Sequence, residues 1–298
     1  MRVSGFSIIR NGIKYFYPFI EAIKSILPLC DEFILNVGDS EDATLEAALA
    51  LKNDKIKIFE SKWDMSLREE GRVLSIETNK ALNKCTGDWC FYIQADEVLH
   101  EKYFPVVKAA MEKNLNKKSI EGLKFKYRHF YGSYDYYQDN YRIWYIAETR
   151  IIRRNENIVS WGDAMNFKHK DGSSLNVEPV NAEIYHYGWV KPPDRMALKR
   201  IDFNKLYYTD KEIEVFAQPP QQGYDRFGHL KKFTNTHPAV MQERIKQGNW
   251  DFDARLDSQA PDWIRKISVF LHPVTKRIKK LFNKKFITPS DETVYVPA

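Results

Sequence analysis

Apolar residues in the first hundred positions fall alternately into short unbroken runs and into wider, helix-like spacings. The run from Val3 into "FSIIRN" predicts a buried strand, and beyond it Phe16, Phe19, Ile20, Ile23, Ile26 and Leu27 recur on one helical face. "DEFILNV", from Asp31, predicts a second strand, followed by the turn-rich "GDSEDAT" and a short helix marked by Leu45, Leu49 and Leu51. "KIKIFES" alternates as a third strand, residues 69–84 carry a helical pattern, and "GDWCFYIQADE", ending at Glu97, is the fourth strand. Strands alternating with helices favour right-handed crossovers and a parallel sheet covered on both faces. In such sheets ligands sit at the carboxyl ends of the strands. Asn11, Asp39 and Ser40, and Asp96 and Glu97 follow strands one, two and four, and are expected to converge on one polar crevice.

After a helix beyond Glu101, the pattern changes. Residues 121–167 are dense in aromatic and β-forming side chains with few helical stripes, which predicts antiparallel strands and loops extending the sheet. "AEIYHYGWVKPPDR" is a last strand running into a Pro-Pro break. A helix to about residue 208, the loop "QPPQQGYDRFGH" and a short helix in "HPAVMQERIKQG" complete the pattern, with no internal repeat. The domain reading is 1–195 for the catalytic unit, 196–262 for a mainly helical extension and 263–298 for a basic tail.

Composition narrows the class. The 298 residues are 43% hydrophobic, enough for one large packed domain with an extension. Three scattered cysteines, Cys30, Cys85 and Cys90, lack metal-type spacing and form no even disulfide framework, which fits a reducing compartment. The first residues show no secretory leader, and no run reaches the ~18 apolar residues of a membrane span. A soluble, cytoplasmic protein is expected. The net charge of +6 is concentrated between Arg265 and Lys285, where eight cations occur without an acid, so the rest of the chain is close to neutral. Trp263, Ile267, Phe270, Val274, Ile278 and Leu281 lie beside those cations at helical spacing, interrupted by Pro273. Two readings stand: a peripheral anchor on an anionic membrane surface, or a C-terminal helix docked with its basic face in water.

Chemistry centres on the end of strand four. Asp96 and Glu97 suit a hard divalent cation that keeps several waters and shares a phosphate oxygen. They suit equally the N-terminus of the helix that follows.

The succession "FSIIRN", "DEFILNVGDSEDAT", Trp63-Asp64 leading to "ETNKAL", and "GDWCFYIQADE" resembles the motifs of family 2 glycosyltransferases of GT-A fold, especially the bacterial lipopolysaccharide core β-glucosyltransferase type. "RIIRR" through "VSWGDAMNF" to "YHYGWVK" resembles the family's later section. The resemblance implies a GT-A, Rossmann-like, mostly parallel α/β sheet with helices on both faces. It also implies a metal-dependent inverting transfer from a UDP- or GDP-sugar to a cell-surface glycan or lipid-linked acceptor, with Mn2+ or Mg2+ as cofactor. On this likeness Ile9, Arg10, Asn11 and Asp39 hold the nucleotide, with a turn-forming role for Asp39 as the alternative. Asn79 is a ribose or phosphate contact or a surface helix residue, and Arg72 faces the diphosphate or the solvent. Where the family shows Asp-x-Asp, this chain has Gln94-Ala95-Asp96. Gln94 still donates and accepts hydrogen bonds, and Asp96 keeps the metal-ligand role. His186 corresponds to the late metal-binding histidine, with a core histidine bonded to backbone as the alternative.

Inverting transfer needs a general base. Aligned on Gly162, the family's catalytic acid falls on Asn166, which cannot serve, and Asp163 is the substitute candidate against a plain turn aspartate. The aromatic stretch from Tyr127 to Tyr145 is either an acceptor platform or sheet packing. Gln94 and Asn166 leave open a catalytically impaired nucleotide-sugar-binding homologue. A sugar-phosphate nucleotidyltransferase would want a Gly-rich, Arg-containing loop after strand one, which "SIIRNGIKYF" lacks. Nucleic acid is not an expected partner, because strand-end acids repel phosphates.

Overall fold

The structure, a computed structural model, describes residues 1–67, 71–139, 144–207, 224, 230–252 and 254. The basic segment 263–298 and the loop 218–223 lie outside the described residues.

Strands β1 (Val3–Ile9), β2 (Glu32–Gly38), β3 (Ile56–Ser61) and β4 (Trp89–Tyr92) form the parallel half of one sheet in the order β3-β2-β1-β4. Their registers include Ser4 with Glu32, Phe33 with Ile56 and Val3 with Trp89. Side chains of β2 alternate between faces with the two-residue period of a strand. Phe33, Leu35 and Val37 pack with Phe19, Ala22, Ile23 and Ile26 of α1 (Phe19–Ile26) and with Val107 and Met111 of α4 (Phe104–Asn114). The opposite face carries Ile34 and joins Phe6, Ile8 and Tyr92 to Val73, Ala81 and Leu82 of α3 (Arg72–Leu82). The short α2 (Thr44–Leu49) contributes Ala48 to the first of these cores.

β5 (Glu97–Leu99) begins after a turn at Gln94–Asp96, so the run expected as one strand is two. Beyond β4 the sheet turns antiparallel. β8 (Ala147–Arg153) pairs with β4 and with β6 (Gly122–Tyr131), which pairs further with β7 (Tyr136–Gln138). β9 (Ile158–Trp161) and β10 (Asn166–His169) form a separate hairpin. The long β11 (Val177–Trp189) runs parallel to β6 and antiparallel to β5. The sheet is thus parallel where the sequence alternates and antiparallel through the aromatic stretch, as expected.

The boundary expected at residue 195 falls inside helix α5 (Pro193–Asn204), whose Pro-Pro start is a favoured helix entry. Residues 230–252, including β12 (Leu230–Lys232) and α6 (Gln242–Gln247), are not a loose appendage. Phe233 and Met241 are buried with Phe130, Tyr185 and Tyr187 in an aromatic core of their own. Cys30, Cys85 and Cys90 are buried free thiols. No helix among the described residues is long and apolar enough to cross a membrane.

At the amino ends of the parallel strands, the buried Glu32 carboxylate accepts from Ser4 Oγ (2.6 Å), Lys57 Nζ (2.7 Å), Thr86 Oγ1 (2.7 Å) and the Thr86 amide (2.9 Å). Burial alone would raise its pKa, but the hydrogen bonds from Lys57, Ser4 and Thr86 outweigh it and bring the group from 4.5 to about 2. A depressed carboxylate contributes stability above its unfolded pKa and loses it as pH falls toward the folded one. Glu32→Gln is therefore expected to lower the unfolding free energy at pH 7 by about 1–3 kcal/mol. Urea titrations should show that deficit shrinking between 4.5 and about 2 and absent below.

Candidate active site

The carboxyl ends of the parallel strands open into a cleft of about 640 Å³. It is lined by Ile8 and Ile9 at the end of β1, Arg10 and Asn11 after it, Trp63 and Met65 after β3, Gln94 to Asp96 after β4, Asp163 and Ala164 in the β9–β10 turn, and one side of α5. Asn11 sits in the left-handed region (φ 54°), a conformation asparagine tolerates better than most residues. Its Oδ1 accepts the Glu41 amide (2.8 Å) and its own amide donates to Ser40 Oγ (3.0 Å), which joins the loops after β1 and β2. Asp39 does not line the cleft. Its Oδ1 accepts from Arg10 Nε and the Trp63 amide, both at 3.1 Å, so it orients two residues that do.

Glu97 points the other way, against the expectation that both acids of the pair face the crevice. It forms a two-pronged ion pair with Arg150, Nε to Oε2 at 2.8 Å and Nη2 to Oε1 at 2.7 Å, with both side chains fully buried. Tyr127 donates to Oε1 (2.6 Å), the Gln94 amide donates to Oε2 (3.0 Å), and Arg150 Nη1 reaches the Met165 carbonyl (2.7 Å). Burying two charges costs several kcal/mol each, and here every strong site on the pair has a partner. The pair fixes both the turn that carries Asp96 and the hairpin that carries Asp163.

Asp96 faces the cleft and is surrounded by cationic and imidazole groups. His186 Nε2 lies 3.6 Å from its Oδ2, and Lys199 Nζ lies 3.8 Å from the same oxygen. Burial would raise its pKa, but His186, Lys199 and Lys191 outweigh that and hold it well below the carboxylate range. His186 Nε2 is buried without a hydrogen-bond partner. A Cβ on Gly188 would stand 2.5 Å from Asp96 Oδ2 and 2.8 Å from His186 Nε2, so the glycine leaves open the space both atoms face. An imidazole nitrogen and a carboxylate oxygen at this spacing are groups that could ligate a small divalent cation. Two protein ligands leave positions for water and phosphate oxygens. No cluster of three or more metal-type side chains occurs among the described residues.

Asp163 lines the cleft, and its Oδ2 accepts from Tyr207 (3.3 Å). Burial raises its carboxyl above the ordinary value. Gln94 Nε2 donates to the Ala164 carbonyl (3.3 Å), tying the strand-four turn to the same loop. Asn166 lies at the start of β10, where its Oδ1 accepts the Phe167 amide.

Other expected residues do not come to the cleft. Asn79 is committed at both ends of its amide to Ser160, donating to its carbonyl (2.9 Å) and accepting from its N–H (2.8 Å), and so fastens α3 to β9. Arg72 is exposed at the first turn of α3. Among the described residues of the stretch from Tyr127 to Tyr145, Phe130, Tyr131, Tyr134 and Trp144 are buried in sheet packing, while Tyr127, Tyr136, Tyr137 and Tyr145 are half-buried.

α5 supplies residues that the extension reading missed. Lys199 donates to the Gly188 carbonyl (3.0 Å), and Asp202 accepts from the Tyr15 hydroxyl (2.7 Å) and pairs with Lys14 (3.2 Å). Lys191, fully buried, donates to the Tyr15 carbonyl (2.9 Å). The only sequence signal was an apolar strand leading through Pro-Pro into "DRMALKR", which marks a helix start without saying what it covers.

A family model described as glycosyl transferase family 2 matches residues 7–180. No curated protein matches the chain. Among solved structures, the TarS 1-349 fragment from S. aureus superposes with a TM-score of 0.39 at 14% identity, over 72% of this chain and 68% of that one. In a longer TarS structure the same 72% corresponds to 42% of that chain. Glucosyl-3-phosphoglycerate synthase from Mycobacterium tuberculosis, in complex with Mn2+, UDP and glucosyl-3-phosphoglycerate, gives 0.42 at 15% identity, over 69% and 78%.

Removing one partner from a fully buried ion pair strands the other charge. Glu97→Gln, similar in shape, is expected to cost about 3–5 kcal/mol, measured by urea unfolding at neutral pH. Replacing both partners, as in Glu97→Gln with Arg150→Met, should cost less than the single change.

Proposed function

The chain belongs to glycosyl transferase family 2, and on that footing we propose that it moves a sugar from a UDP- or GDP-linked donor to an acceptor hydroxyl, with inversion and with Mn2+ or Mg2+. The observation that carries this reading is the pairing of Asp96 Oδ2, at the wall of a cleft also lined by Asn11, Arg10 and Asp163, with the unpartnered His186 Nε2 buried 3.6 Å behind it.

Asp96 and His186 would hold the cation, which when bound supplies positive charge to the diphosphate as it leaves. Lys199, fixed beside Asp96, adds a protein cation on the same side of the cleft. Arg10 and Asn11, stiffened by Asp39, Ser40 and Glu41, offer donors and acceptors to the nucleotide. Asp163 takes the acceptor proton as that oxygen attacks the anomeric carbon from the face opposite the departing diphosphate. One C–O bond forms as the other breaks, and the nucleoside diphosphate leaves with the electron pair. A buried, raised-pKa carboxylate is a stronger base than an exposed one, which suits Asp163 to this role. Asp163 also favours transfer over a binding-only homologue, since it provides the acid that Asn166 lacks.

The likeness to lipopolysaccharide core enzymes supports a cell-surface glycan or its lipid-linked precursor as acceptor, reached from the cytoplasmic face of the membrane. The basic, Trp- and Phe-containing segment 263–298 supports peripheral attachment there. Sedimentation with anionic liposomes should be lost on truncation before Trp263, and binding that survives truncation would remove the anchor.

For the site itself, calorimetry with UDP and GDP should show binding strengthened at least about tenfold by Mn2+, with the gain lost in Asp96→Asn. Equal affinity with and without the metal would defeat the cation reading. Asp163→Asn should keep that metal-dependent binding and lose about 10²–10⁴-fold in transfer rate. Because Asp163 acts only when ionised and its pKa is raised, the wild-type rate should fall as pH drops through a limb lying above 3.8.

A further inference from the structure

His186 does not stand alone on its strand. On the adjacent parallel strand β6, His129 is its register partner, and both rings are buried, at 1% and 3% exposure. Their Nδ1 atoms are 3.1 Å apart, and His129 Nε2 lies 2.8 Å from the Tyr145 carbonyl oxygen. Trp144 and Tyr145 hold the His129 ring, with centroids at 5.0 and 4.5 Å.

Between the two rings, the proton has one low-cost position. The Tyr145 carbonyl can only accept, so His129 carries its proton on Nε2. A buried imidazolium with no carboxylate in contact is costly, so His129 is neutral and its Nδ1 is a bare acceptor. The proton between the rings then belongs to His186 Nδ1, so the ring nitrogen left for a ligand is Nε2, which lies 3.6 Å from Asp96 Oδ2 and gives up any proton it shares with that carboxylate when a cation enters.

We propose that His129 is a positioning residue for the cation site, selecting the Nδ1–H tautomer of His186 so that Nε2 is free to ligate. This rests on the cation reading above, yet it concerns a proton arrangement already present without metal. Metal-binding histidines usually give their second N–H to a carboxylate, carbonyl or water, and losing such a partner typically costs 10–100-fold in metal affinity. Here the partner is a second imidazole, itself anchored to the backbone.

The test uses the full chain with selectively 15N,13C-labelled histidine, and His186→Asn to assign the resonance. Metal-free wild type is expected to show His186 protonated on Nδ1. His129→Leu should shift His186 toward the Nε2–H form and weaken Mn2+ binding, followed by electron paramagnetic resonance of the free ion, by about 10–100-fold. His129→Asn, whose Oδ1 can accept where Nδ1 did, should restore both toward wild type, a rescue that simple loss of packing would not produce. The proposal is overturned if wild-type His186 is protonated on Nε2 and not on Nδ1, or if His129→Leu, folded by circular dichroism, binds Mn2+ as wild type while His186→Asn does not. Failure of wild type itself to bind Mn2+ would defeat the cation reading, and the tautomer spectrum would still decide the relay.

Discussion

The arrangement of the cleft depends on the buried contact between Glu97 and Arg150. Asp96 and Glu97 are neighbours in the chain, and once one is committed to a fully enclosed guanidinium, the other is left to face the strand ends. The same guanidinium holds the Met165 carbonyl, so a single cation in the sheet ties the turn after β4 to the β9–β10 turn. Replacing such a pair by apolar groups is often neutral or stabilising, so its role here is better understood as specifying geometry than as adding stability.

Around Asp96 the field is built from groups that cannot relax into water. Lys191 and Lys199 are buried, and burial depresses both ammonium groups while Asp96 pulls them back up. The carboxylate is thereby kept ionised in a low-dielectric setting, where an added cation interacts more strongly than at the surface. Aromatic faces complete the enclosure: Lys199 lies over Tyr17 and Trp189, and Lys191 over Tyr17.

The parallel third of the fold was legible because burial on both faces leaves unbroken apolar runs, and helices between them keep a 3.6-residue period. Strand direction alone predicted that Asn11, Asp39, Ser40, Asp96 and Glu97 would converge, and of these Asn11 and Asp96 line the cleft, whereas Asp39 stands behind it and Glu97 turns into the sheet. What a side chain meets across the sheet was not legible. Glu97 looks like a second metal acid until Arg150 is found 53 residues away, and Asn79 looks like a ligand contact until β9 is placed beside it. His129 was hidden in an aromatic stretch, since nothing local distinguishes a packed ring from one that orients another. Lys199 was missed because a Pro-Pro break suggested that the catalytic unit had ended. Asp163 was a candidate because the family's catalytic acid, aligned on Gly162, falls on Asn166, and the β9–β10 turn brings Asp163, and not Asn166, to the cleft.

The sequence separations at the site bear on how the molecule folds. Glu97 meets Arg150 across 53 residues, His129 meets His186 across 57, and Tyr15 meets Asp202 across 187. Contacts this distant form slowly, because chain entropy must be surrendered before any of them stabilises the rest. During synthesis the parallel strands and their helices can assemble while β11 and α5 are still missing. Binding competence is thus acquired late, and a nascent or truncated chain can be compact and helical while still blind to its ligands.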